Sequence, residues 1–164
     1  MHIAPFDPER CTPHARVYED DRHGVLAADP QPRPVAAGLA GLERAALSDP
    51  GRAPGTVVVG AGRPLRLHAV VHDVEREPDW HEEWVAAATA AVLDLAARRG
   101  LARLALPLLG TVHGRLPRHR ALALLAAALA RAPARPERLW LIDAGALDAA
   151  RLRRLVDAQG GAAG

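Results

Sequence analysis

Apolar and polar positions alternate along this chain in blocks whose spacing predicts the elements. Thr56–Val59 is a β-branched run closed by Gly60-Ala61-Gly62, and it predicts a strand. Arg66–Val74 mixes alternation with a continuous apolar centre and predicts a second strand, with His68 and His72 on one face about 13 Å apart. Leu101–Leu106 is an apolar run of the kind that a strand covered on both faces needs, and Leu139–Ile142 is another. Helical spacing separates these runs. Trp80, Trp84, Ala87, Ala91 and Leu95 mark the buried stripe of a helix that Asp79 is expected to cap, with Glu82 completing a capping box. Gly100 suits the left-handed position just past its end. Pro117 opens a helix reaching Ala130, because a missing N–H costs nothing at the first helical position. Leu122, Leu125 and Leu129 point inward from it, and Pro133 and Pro136 end it. Ala146–Ala158 is a last amphipathic helix, and Gly160–Gly164 a frayed tail.

The pattern is weaker upstream. Met1–Asp21 carries Pro5, Pro8 and Pro13 and is expected to be irregular, with at most a short edge strand near His2–Ala4 or Ala15–Tyr18. Glu19-Asp20-Asp21-Arg22 reads as a polar turn. Val25–Ala28 reads as a short strand closed by Asp29-Pro30. Pro30, Pro32 and Pro34 impose an extended loop. Val35, Leu39, Leu42 and Ala46 then fall at helical spacing and predict a helix over Val35–Leu47.

Strands and helices in alternation predict one domain over residues 1–160, a three-layer α/β/α sandwich with a mixed, largely parallel central sheet. Ligands of such sheets bind beyond the carboxyl ends of the strands. Two loops fall there: Asp29–Gly38, and Gly110-Thr111-Val112-His113-Gly114. The second joins a strand to a helix, so it offers free N–H groups and the positive end of a helix dipole to an anion. Arg115, Arg118, His119 and Arg120 add positive charge. Taken alone, the same stretch reads first as a plain connection before a solvated basic helix.

Composition narrows the chemistry. Apolar residues form 49% of the 164, enough to fold around a core. All 21 basic residues are arginine, and neither lysine nor asparagine occurs, so no mechanism can use a lysine nucleophile or an asparagine ligand. A net charge of +2 gives no bulk electrostatic pull on nucleic acid. The lone Cys11 permits no internal disulfide and fits a reducing, cytoplasmic setting. No apolar leader follows a basic start, and no run is long enough to span a membrane. The histidines form no compact ligand set, and His81-Glu82-Glu83-Trp84-Val85 fails the HExxH spacing, so no metal or other cofactor is expected. Cys11 with His14 is a thiolate pair or a passenger cysteine, and Ser48 is a helix-end cap. Asp29 is either a turn-former before proline or a carboxylate facing the glycine loop.

Together these blocks resemble the macro domain, an ADP-ribose-binding α/β/α module. Leu106–Pro117 (LPLLGTVHGRLP) resembles its second ligand loop, Pro54–Gly62 with Leu67–Val74 its strand pair ending in "IHAV", Val25–Asp29 its "VNAAN", and Ala36–Leu42 its "GGGVAGAI". The resemblance implies that Gly110, Thr111, Val112, His113 and Gly114 wrap a diphosphate, and that Asp29, Gly38 and Leu39 approach the distal ribose. It also implies an adenine-binding aspartate, for which Asp7, Asp20 and Asp21 are candidates. The chain departs from the pattern where Leu26 and Asp29 replace both asparagines, Ala36 and Ala37 replace glycines, and Val112 replaces the glycine after threonine. The expected function is therefore binding of ADP-ribose or a related nucleotide diphosphate, free or on a modified protein, with weak or no hydrolysis. One alternative is a macro-fold scaffold that acts through protein contacts. Another is a hydrolase of ADP-ribose esters or glycosides with a rewired site, Asp29 as base and His113 as its partner.

Overall fold

The structure is a computed structural model, and it describes residues 1–24, 26 and 51–160. Six strands form one sheet: β1 (His2–Pro5), β2 (Ala15–Asp21), β3 (Val57–Gly60), β4 (Leu65–His72), β5 (Arg103–Pro107) and β6 (Arg138–Ile142). Their order is β1-β6-β5-β2-β4-β3. All neighbours are parallel except β3, which runs antiparallel to β4 at the edge. Three helices complete the described structure: α1 (Glu82–Arg98), α2 (Arg118–Arg131) and α3 (Ala146–Gly160).

The crossovers β4-α1-β5 and β5-α2-β6 step the same way across the sheet. Right-handed connections therefore put both helices on one face. α2 packs between α1 and α3, α1 lies against β4, and α3 against β1. Val85, Ala88 and Val92 of α1 and Leu122, Leu125 and Leu129 of α2 meet Leu67, Ala69, Val71, Leu104, Leu106, Leu139 and Leu141 of the strands in one core. Leu104, Ala105 and Leu106 are all buried, so β5 is covered on both faces, as its continuous apolar run predicts.

The N-terminal segment departs from expectation in part: the short edge strand expected near His2–Ala4 is present as β1, residues 6–14 are irregular, and the rest is not. His2–Pro5 pairs with β6, and Ala15–Asp21 is a central strand between β5 and β4 rather than an edge. Proline misled the reading because Pro5 and Pro13 fall at the end of β1 and between the strands, where no ladder N–H is needed. Glu19-Asp20-Asp21 is the buried carboxyl end of β2, not a turn. The predicted strand Val25–Ala28 and helix Val35–Leu47 lie outside the described residues except for Leu26, which sits in a turn.

α1 also corrects the sequence reading. Its N-cap is His81, with no side-chain cap, so Asp79 forms no capping box. Its buried residues are Val85, Ala88, Thr89, Val92, Leu93 and Ala96, one register off the predicted stripe. Gly100, at φ +63°, closes the helix in the left-handed region as expected.

Candidate functional site

Direction across the sheet reverses between β5 and β2. From β5 the chain proceeds to β6, and from β2 it proceeds to the β3–β4 side. Such a reversal opens a crevice at the carboxyl ends of the strands. β2 and β5 pair low on the strands, at Ala15–Leu104 and Arg16–Ala105, and Pro107 has no N–H to extend the ladder. Above that pairing, the loop after β5 meets the end of β2.

The loop is shaped by two glycines. Gly110 has φ +83°, and a Cβ there would lie 2.9 Å from a methyl of Val85 and 3.0 Å from Leu116. A Cβ on Gly114 would lie 2.5 Å from the carbonyl oxygen of Gly110, a backbone atom that cannot swing aside. The Leu116 N–H donates to that same carbonyl at 3.1 Å, and the Thr111 N–H and hydroxyl both donate to Leu108 O. The loop thus folds tightly upon itself ahead of α2, whose N-cap is Pro117 and whose first turn holds no acid.

The folded loop turns the N–H groups of Gly110, Val112 and His113 toward one point, and Glu19 occupies that point. Its Oε2 accepts from Gly110 N–H at 2.7 Å and Val112 N–H at 3.4 Å. Its Oε1 accepts from His113 N–H at 3.0 Å and from His72 Nε2 at 2.7 Å. Among the described residues, the N–H groups of Gly114 and Arg115 have no protein acceptor. Glu19 is 3% exposed and His72 is fully buried. Burial alone pushes the Glu19 carboxyl up. The hydrogen bonds from His72, His113 and Gly110 outweigh it and hold the group below the ordinary glutamate range.

A register shift brings His72 to this point. Asp20 pairs with Val70 but Asp21 pairs with His72, so β4 carries one extra residue there. The extra residue re-aims the side chain. His72 therefore bonds Glu19 while His68 bonds Asp20 at 3.0 Å, and the two histidines do not share a face as a regular strand would have it. An ionised carboxylate only accepts, so Nε2 of His72 carries the donated proton. Its Nδ1 is buried without a hydrogen-bond partner among the described residues, 3.9 Å from the carboxylate of Asp79.

Of the expected site residues, the structure brings Gly110, Thr111, Val112, His113 and Gly114 together in the crevice. Val112 is 46% exposed, and the His113 ring stands edge-on to His72 with ring centroids 6.1 Å apart. Asp29, Gly38 and Leu39 lie outside the described residues, as does Ser48. Asp21 accepts the N–H groups of His23 and Leu26, and Asp7 lies in its own turn, accepting from Glu9 N–H. Cys11 and His14 do not pair: the sulfur accepts from Asp7 N–H, and His14 accepts from Arg103 Nε. Among the described residues, no three acidic, histidine or cysteine side chains are disposed to hold a metal ion, and no helix is long and apolar enough to cross a membrane.

Sequence reasoning missed Glu19. The signal was the alternation in Ala15-Arg16-Val17-Tyr18-Glu19, where Ala15, Val17 and Glu19 fall on one face. Val17 and Ala15 are buried on it, and Glu19 follows them inward.

A mixed six-stranded sheet packed by helices, with a glycine-shaped N–H loop at its switch point, defines an α/β/α domain with a candidate anion site at that loop. A family model of the macro domain matches residues 36–125, more than half of the sequence, and the chain belongs to the macro domain family. Solved structures agree on the fold. A mutant form of the Oceanobacillus iheyensis macrodomain with ADPR aligns over 95% of this chain and 91% of its own at 19% identity and TM-score 0.64. The same macrodomain with ADP aligns over 94% and 88%, at 18% identity and TM-score 0.63. The macrodomain of Thermus aquaticus DarG aligns over 87% and 97%, at 15% identity and TM-score 0.61. Among curated proteins none matches the chain.

Proposed function

We propose that this chain binds ADP-ribose or a related nucleotide diphosphate in the crevice above β2 and β5, with weak or no hydrolysis. One observation carries the reading: three backbone N–H groups of the loop converge on a single negatively charged group. A loop that holds a carboxylate in this way has the donors a phosphate oxygen needs, beside a helix start that carries no acid of its own. The O. iheyensis macrodomain, which shares the fold, carries ADPR or ADP in its structures and lends support. The chain has no lysine and no asparagine, so neither can serve a hydrolytic step here.

Calorimetric titration with ADP-ribose, beside AMP, tests the proposal. The expected result is binding of ADP-ribose clearly tighter than AMP, abolished by Gly114→Val in a protein that keeps its helical circular dichroism. No heat up to millimolar ADP-ribose would overturn it. A second reading is favoured by the occupancy of the cradle itself. If Glu19 never yields its place, the domain is a macro-fold scaffold that acts through protein contacts, and that reading predicts the silent titration.

A further inference from the structure

We propose that Glu19 is an internal competitor for the nucleotide site: its carboxylate fills the phosphate position of the loop when the site is empty and must yield it for a diphosphate to bind. This rests on the nucleotide-diphosphate reading above and says what regulates affinity in that site.

Four donors converge on the two oxygens of Glu19, three of them N–H groups of the loop. The Thr111 N–H is already spent on Leu108, and the Leu116 N–H on Gly110. Within residues 110–115 of the loop, the N–H groups of Gly114 and Arg115 remain unclaimed among the described residues. A diphosphate therefore takes the loop's donors from Glu19, or it binds on two N–H groups beside a fixed negative charge. Both routes weaken binding relative to an empty cradle. The carboxylate comes from β2, which precedes the loop by about ninety residues (91 from Glu19 to Gly110), so local turn formation does not require it. Its bond to His72 depends on the extra residue in β4, so the fold is built to present this acid to this loop.

If the cradle is open in a tenth of the molecules or fewer, the apparent affinity falls by at least about tenfold, because ligand binds only the open fraction. Removing the charge restores that factor. The experiment is calorimetry of ADP-ribose and of adenosine with the wild type, Glu19→Gln and Glu19→Asp. Gln is isosteric and uncharged. Asp keeps the charge but withdraws it by one methylene. The proposal expects ADP-ribose to bind Glu19→Gln about tenfold or more tighter than wild type, with Glu19→Asp between them and adenosine unchanged. Equal or weaker binding of ADP-ribose by Glu19→Gln, in a protein with wild-type circular dichroism, overturns the competitor and leaves the nucleotide reading standing. Silence from all three proteins removes both.

A second measurement needs no variant. In ¹⁵N-labelled wild type, ADP is expected to shift the amides of Gly110, Val112 and His113 most, since their acceptor changes. Shifts confined to Gly114 and Arg115 would overturn the competitor, because the ligand would then bypass the donors that Glu19 holds.

Discussion

Two helices on the same face of the sheet follow β4 and β5, the strands on either side of β2, and they are finished in opposite ways. α1 follows β4 and carries Glu82 and Glu83 in its first turn. These acids offset the positive end of its dipole from within the helix. α2 follows β5 and has no acid in its first turn; the residues around its start are Arg115, Arg118, His119 and Arg120. The anion it lacks comes from β2, as Glu19 seated in the preceding loop. A helix start that brings its own acids is closed chemistry, while one that borrows an acid from a distant strand keeps a position that another anion can take. On the proposed reading, the difference assigns the ligand site to the α2 start rather than to α1.

The contrast can be broken most forcefully by Glu19→Ala. Three loop N–H groups and His72 Nε2 would then lose their acceptor in a buried place. Leaving such donors unpaired costs on the order of 3–5 kcal/mol. A urea melt is expected to show that loss, and a change under 1 kcal/mol would mean that water serves the loop as well as the carboxylate does.

At the small end stands Glu82→Gln. Glu82 pairs with Arg120 of α2, but both side chains are well exposed. Exposed pairs of this kind contribute little. The urea midpoint is expected to stay within error of wild type. A clear drop would show that the acids of α1 also serve α2 and would blur the distinction between the two helix starts.

Much of this was legible in the sequence. The strands over Val57–Gly60, Leu65–His72, Arg103–Pro107 and Arg138–Ile142 follow from apolar runs bounded by Gly and Pro, and the Gly110–Gly114 loop from its place between strand and helix. What escaped was set by tertiary partners. Glu19-Asp20-Asp21 reads as a turn because three acids in a row have no local reason to be buried. Glu19 and Asp20 are buried because His72, His68 and backbone N–H groups from a distant loop satisfy them, while Asp21 accepts the N–H groups of His23 and Leu26. Asp79 has the sequence signature of a cap, yet the helix starts later, and the aspartate faces His72 instead. The histidine spacing on β4 implied a shared face, and an extra residue in the strand undid it. Local pattern finds elements well, while a charge neutralised across the sheet leaves no local pattern.

The central claim is that an ionised Glu19 holds the loop. The most direct test follows the side-chain carboxyl of Glu19 and the amides of Gly110 and His113 by NMR as the ligand-free protein is acidified. The sign is fixed by the lowered value in the folded state: the contribution of Glu19 to stability is whole above the ordinary glutamate value of 4.5 and is lost as pH falls through the lower folded value. The account predicts that Glu19 titrates below 4.5, with both amides moving at the same midpoint. A Glu19 that titrates at the ordinary value while the loop amides stay still would contradict it.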